Sequence, residues 1–221
     1  MLRDRPVILI TGFGPFPGAP RNASSLLAEA LATAAPRRLP GFAVHAETLP
    51  TEWQAGPSRL ATLLDELEPV VALHFGVSRR ARGFVVETRA RNTRLLIHDA
   101  CGEKPGAACI ADDGAAELTA TLPTGLIVER LRRMGMPVQL SRDAGGYLCN
   151  AILYHSLDQA RLRQREAPRF GSRRGFIHIP DRLAGDMRGG TRRAAASRLD
   201  WDAAIEGGLA ILGICAGVGE R

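Results

Sequence analysis

The segment Pro6-Val7-Ile8-Leu9-Ile10-Thr11 is apolar without alternation. A strand covered on one face alternates apolar and polar residues, whereas a strand covered on both faces does not. The segment therefore predicts a strand buried on both faces, as in a parallel sheet. A Gly/Pro-rich loop from Gly12 to Arg21 follows, and Asn22 caps a predicted helix running to about Ala35. The alternation continues outward. Gly41 to Leu49 predicts a second strand. Thr51 opens a helix with Trp53, Leu60, Leu63, Leu64 and Leu67 at helical spacing. Val70 to Gly76 predicts a third strand, and Phe84 to Ala90 an unusually charged one. Thr93 to Ala120 reads as a long irregular excursion with one short strand at most. Thr124 caps a helix to about Met134, and Pro137 to Ser141 predicts a strand. Helix from about Tyr147 to Arg163, strand from Gly175 to Pro180 and a last helix capped by Asp200 complete the chain. This pattern predicts an α/β fold: one three-layer domain over residues 1–221, with a mostly parallel central sheet and helices on both faces.

Composition narrows the function classes. The chain has 221 residues, 45% hydrophobic and 24% charged, which is globular rather than disordered. The longest apolar run, Leu209 to Gly219, has 11 residues and three glycines, short of the ~18 of a membrane span. No membrane partner is expected. The N-terminus shows no signal-peptide pattern, and the four cysteines (Cys101, Cys109, Cys149, Cys215) are too scattered for a disulfide framework. A cytoplasmic protein with reduced thiols is the expectation. No Cys/His spacing suits a metal, so none is expected. The net charge of +6 is uneven: Arg161 to Arg198 holds 11 arginines against three acidic residues. A nucleic-acid surface there is weakened by the lack of interleaved aromatics, so no nucleic-acid partner is expected.

Three stretches carry chemistry. Gly12-Phe13-Gly14-Pro15-Phe16-Pro17-Gly18 is not a dinucleotide loop, because Pro15 and Pro17 remove backbone donors that phosphates need. It instead offers Phe13 and Phe16, as a pocket wall or as core packing. Ser141-Arg142-Asp143-Ala144-Gly145-Gly146-Tyr147-Leu148-Cys149-Asn150 reads as strand, glycine turn and helix. Cys149 falls in the first helical turn, where partial positive charge and unpaired N–H groups favour a thiolate and can hold an oxyanion. A cysteine nucleophile needs a base, and the base an orienting group. His178, between Ile177 and Ile179, faces away from both and is placed as a base or as a core histidine. Glu87, in Phe84-Val85-Val86-Glu87, is placed to orient it at the sheet's C-terminal edge, or else to point to solvent or pair with Arg89 or Arg91.

With these stretches in order, the chain resembles the pyroglutamyl peptidase I family, cysteine peptidases that remove an N-terminal pyroglutamyl residue. The similarity runs through Ile8 to Phe16 with Asn22, Thr48 to Thr51, Glu87 with Asn92, Ser141 to Asn150, and Gly175 to Pro180. It implies a cofactor-free Cys149–His178–Glu87 triad acting on N-terminally pyroglutamylated peptides. It further implies that Phe13 and Phe16 sandwich the lactam ring, that Asn22 supports their loop, and that main-chain groups of Tyr147 and Leu148 bind the lactam amide. Members are often dimers or tetramers, so a homo-oligomer is an expectation. Two positions depart from the pattern. Val77 stands where the family has glutamine, and Ile97 where it has an arginine near the oxyanion, with Arg91 and Arg94 the nearest replacements. Two rival readings remain: a divergent thiol amidohydrolase acting on another small cyclic or acylated amide, and a non-catalytic protein binding through the arginine-rich face.

Overall fold

The computed structural model describes residues 5–17, 19–166, 172–183 and 199–218. A six-stranded sheet is built from β1 (Val7–Phe13), β2 (Ala43–Leu49), β3 (Val71–Ser78), β4 (Phe84–Glu87), β7 (Val138–Ser141) and β8 (Arg173–Pro180). Its order is β2-β1-β3-β8-β4-β7. The first four of these run parallel, β4 is antiparallel to β8, and β7 is parallel to β4. A separate two-stranded ribbon pairs β5 (Arg89–Arg91) with β6 (Glu117–Thr119). The remaining part of the 93–120 excursion is irregular.

Five helices cover the sheet: α1 (Ala23–Arg38), α2 (Ala55–Leu67), α3 (Thr124–Arg133), α4 (Leu148–Glu166) and α5 (Trp201–Ala216). Strand alternation divides the core in two. Ile8, Ile10, Leu73, Phe84, Val86, Ile177 and Ile179 pack under α1, α3 and α5. Leu9, Phe13, Ala72 and Phe176 pack under α2 and α4 on the other face. This is the expected three-layer arrangement. The caps at Asn22 and Asp200 form as the sequence implies, each side chain accepting a first-turn N–H. Two helix starts differ. Residues 51–54 are turn rather than helix because Thr51 and Trp53 are tied to Gly14 and Asp99 instead. The cap before α3 is Pro123, and Thr124 is already helical.

The arginine-rich segment lies largely outside the described residues. Four of its described members are engaged internally. Arg161 pairs with Asp158, Arg163 with Asp65 and Glu68, and Arg173 donates to the carbonyls of Ile214 and Cys215 at the end of α5. Arg174 is buried and donates to the carbonyl of Pro69. These four do not make an open basic face. Among the described residues, no helix is long and apolar enough to cross a membrane.

A polar link crosses the α2/α4 side of the core. His74 on β3 is fully buried, with Nδ1 2.8 Å from Thr11 Oγ1 on β1 and Nε2 2.8 Å from Ser156 Oγ on α4. Desolvation, reinforced by the Arg174 charge, pushes its pKa down to about 3. The unfolded chain accepts a proton on this imidazole below about pH 6.5, and the folded one does not. Its contribution to stability is therefore complete above pH 6.5 and is lost as pH falls from there towards 3. Urea unfolding should show a steep acid loss, on the order of 4 kcal/mol attributable to this group by pH 3. In His74→Gln that share of the slope should disappear, although the variant is less stable at neutral pH. An equal slope in both proteins would refute the assignment.

Candidate active site

Cys149, His178 and Glu87 come from three elements and meet on the α2/α4 side of the sheet. Glu87 ends β4 and pairs in register with Phe176, while His178 pairs with Val85. Two residues apart in an antiparallel ladder, Glu87 and His178 are diagonal neighbours on one face. Glu87 Oε1 lies 2.9 Å from His178 Nδ1. Glu87 is 1% exposed and His178 8%. Because β4 is antiparallel, Glu87 does not stand at the C-terminal edge of the parallel strands as its chain position suggests. It reaches His178 from below that edge. The arginine pairing also open in the sequence is not formed: Arg89 binds Glu117 and the Arg142 carbonyl, and Arg91 approaches Glu117 and Asp143.

A carboxylate only accepts hydrogen bonds, so His178 Nδ1 carries the proton in this pair and Nε2 is left to act. Burial alone would lower the His178 pKa. The nearby Cys149 sulfur and the Glu87 carboxylate outweigh it, and the group is pushed up to about 10. The imidazole is thus held between a sulfur and a carboxylate, an arrangement that can keep a proton and release it to a third group.

Cys149 is half-buried in the first turn of α4. Two glycines bring it there. Gly145 has φ +83°, left-handed backbone that a side chain would strain. Gly146 admits the Leu95 side chain, whose Cγ would lie 2.6 Å from an added Cβ. At the helix start, N–H groups lack intrahelical partners and the dipole is positive, so the sulfur sits beside donors suited to an oxyanion. Asn150 is buried next to it. Its amide accepts from the Arg91 N–H at 2.9 Å and donates to the carbonyls of Arg91 and Thr93 at 2.8 and 2.9 Å.

The expected binding residues have different surroundings. Phe13 is buried in the core, its ring 6.3 Å from Phe176, which lies 4.9 Å from His178. Phe16 is half-buried in the loop and bridges to Ala19. The Asn22 side chain donates to the Gly14 carbonyl and accepts from Ser24, and Thr51 Oγ1 donates to the same carbonyl. These bonds fix the loop that carries both phenylalanines. Tyr147 is half-buried and packs edge-on against Trp53, centroids 5.1 Å apart. The Leu148 side chain is wholly buried, so only its main chain faces the site. At the two departures, Val77 packs against the α1/α3/α5 core and Ile97 is exposed. Arg94 donates to the Ala107 carbonyl, so neither it nor Arg91 is directed to the thiol.

Gly76 was not singled out as a site residue by sequence reasoning. It pairs with His178 across β3 and β8. An added Cβ would lie 2.6 Å from the Phe176 ring and 3.0 Å from Cys149 Sγ. The lack of a side chain makes room for the sulfur. Asp99, buried in the irregular excursion, was also missed. Its carboxylate accepts the N–H groups of Trp53, Cys101 and Glu103, each at 2.9 Å. Burial opposes its charge, but these donors prevail and hold the carboxyl below its usual range. No local periodicity marks either residue.

Gly76→Ala should destabilise the protein by about 1–3 kcal/mol through overpacking and slow iodoacetamide alkylation of Cys149. Gly41→Ala, where nothing lies within 4 Å of the added Cβ, is the control. Equal melting temperatures and alkylation rates in the two variants would contradict the packing argument.

Residues 7–191 match the family model described as pyroglutamyl peptidase. A pyrrolidone-carboxylate peptidase of Gloeobacter violaceus is 36% identical over 177 residues, covering 78% of this chain and 80% of that protein. Pyroglutamyl-peptidase 1 of Mus musculus is 28% identical over 185 residues, covering 81% of each. Among solved structures, that of Bacillus amyloliquefaciens pyroglutamyl peptidase I superposes with a TM-score of 0.81 at 26% identity, covering 96% of this chain and 98% of that one.

Proposed function

Because the chain belongs to the pyroglutamyl peptidase family, we propose that it is a cysteine exopeptidase that removes N-terminal pyroglutamate from peptides through Cys149, His178 and Glu87. The observation that carries this reading is the alignment of a helix-start thiol, an imidazole within its reach and a buried carboxylate 2.9 Å from the far ring nitrogen. That is the nucleophile, base and orienting group of acyl transfer.

In this mechanism the Cys149 thiolate attacks the scissile carbonyl carbon. A C–S bond forms and the carbonyl electrons move to oxygen, stabilised by the Cys149 N–H and the start of α4. His178, protonated, gives its proton to the leaving amine as the C–N bond breaks. The thioester remains. His178 then takes a proton from water, whose oxygen attacks the thioester and releases pyroglutamate and the thiolate. Glu87 holds the ring with Nδ1 protonated and balances its positive charge. The lactam is assigned to the space bounded by Phe13 and Phe16. The substrate lacks a free α-amine, so an apolar pocket without a counter-charge suits it. All four cysteines are free thiols, which supports a reducing, cytoplasmic setting.

The direct test is release of aminocoumarin from its pyroglutamyl amide under reducing conditions. Wild type should turn over, and Cys149→Ala should fall to background. Retained turnover in Cys149→Ala would overturn the mechanism. An inactive wild type whose Cys149 is still rapidly alkylated would favour another amide as substrate.

The pH profile tests Glu87. The leaving amine needs protonated His178, which persists until pH rises through about 10. The alkaline limb of kcat/KM should therefore fall near that value. Glu87→Gln removes a negative charge that supports the proton, so the limb should move to lower pH. The rate should also fall, by roughly 100-fold or more. An unmoved limb would remove Glu87 from the mechanism.

A further inference from the structure

The segment from Arg91 to Asp99 is a strap across the start of α4. It is held at several points along its length. Asn150 bonds the main chain of Arg91 and Thr93, the Leu95 N–H donates to the Gly146 carbonyl at 2.8 Å, and Trp53 Nε1 donates to the Ile97 carbonyl at 2.8 Å. Asp99 closes the series by accepting the Trp53 N–H. Its order comes from main-chain bonds and from the buried side chains of Asn92 and Asp99 at its two ends. Leu95, Leu96 and Ile97 remain 57%, 53% and 45% exposed, three consecutive large apolar residues on a pinned segment. Isolated surface leucines are ordinary, but a contiguous apolar run beside a site is a binding feature.

The position identifies the occupant. Leu95 covers Gly146, three residues before Cys149, on the solvent side of the helix start. The lactam is small and is assigned to the Phe13 side, against the sheet. The rest of the substrate must leave towards solvent, past the outer surface of the helix start. Building on the exopeptidase reading above, we propose that Leu95 and Leu96 form an apolar ledge for the side chain that follows pyroglutamate. The ledge selects peptides whose second residue is large and apolar. Leu96, exposed on the strap, is the specificity-determining residue to test.

The experiment compares kcat/KM for pyroglutamyl-leucine, pyroglutamyl-phenylalanine, pyroglutamyl-glycine and pyroglutamyl-aspartate. Wild type should prefer leucine to glycine by about tenfold or more, the range a hydrophobic subsite supplies, and should discriminate against aspartate. Leu96→Ser and Leu96→Asp should bring the leucine-to-glycine ratio towards one, and Leu96→Met should restore it. Because the readout is a ratio within each variant, a general loss of stability does not move it. A wild type that cleaves all four substrates without preference, or a ratio indifferent to Leu96→Ser, would overturn the ledge alone. A wild type that cleaves none would overturn the exopeptidase reading and the ledge with it. Sedimentation of the same variants adds a further outcome. Dissociation of an oligomer by Leu96→Ser with an unchanged ratio would reassign the strap to contact between copies of the chain and overturn the subsite.

Discussion

The 2.9 Å contact between Glu87 and His178 is the constraint on which this side of the molecule turns. A carboxylate 1% exposed inside a sheet costs several kcal/mol unless it is paired. The pairing is possible only because β4 runs against β8, which makes positions two apart on the ladder diagonal neighbours. A slip of one residue would turn Glu87 into the apolar cluster that holds Phe84 and Val86. The short Phe84-Val85-Val86 run resists that slip, since Phe84 and Val86 fill the opposite core. The same alternation that buries two side chains under α5 thus delivers the carboxylate to the histidine.

The thiol side is positioned by packing and by a second polar link. Cys149 and Ser156 are two helical turns apart on α4 and project towards the sheet. Ser156 is tied through His74 to Thr11, so α4 is linked to β3 and β1 by hydrogen bonds among fully buried groups. Two residues along β3, Gly76 leaves the gap that the sulfur occupies. The two histidines have opposite electrostatic surroundings within one core. His74 has only neutral hydroxyl partners and is driven neutral by burial, whereas His178 lies between sulfur and carboxylate and is driven towards its charged form. Burial is the largest influence on both, and the identity of the partners decides the sign.

Local sequence patterns made much of this legible. The unbroken apolar run at Ile8 to Ile10 and the cap at Asn22 report local physics, and they appear where expected. So does Cys149 at a helix start, because two glycines before a helix are a local requirement of the turn. His178 opposite Ile177 and Ile179 follows from strand alternation alone. The direction of β4 was not legible, because strand polarity depends on a partner almost ninety residues away. Asp99 was likewise hidden, as was what the Asn92 side chain binds. Asn92 uses its side chain on Ile110, Ala111 and Gly114. A hub of main-chain bonds leaves no periodicity in the sequence, and the irregular composition of Thr93 to Ala120 reads as absence of structure when it is structure without repetition.

Of the two departures from the family pattern, Ile97 lies in that irregular excursion and Val77 on β3. At Val77 the change falls on the core side of β3, away from the sulfur, where an apolar residue packs with Phe75 and Ile179. At Ile97 the side chain is exposed and the main chain does the structural work, through the Trp53 indole and so through Tyr147. Neither residue takes part in the contact between Glu87 and His178. Arg91 and Arg94 are engaged elsewhere, and the N–H groups at the start of α4 are fixed by the Gly145–Gly146 turn beneath the strap. A side-chain cation at that point is mobile and hydrated, whereas a helix start is oriented before substrate arrives. On the proposed reading, the exposed apolar residues of the strap offer contact surface where a side-chain cation would offer a long-range charge.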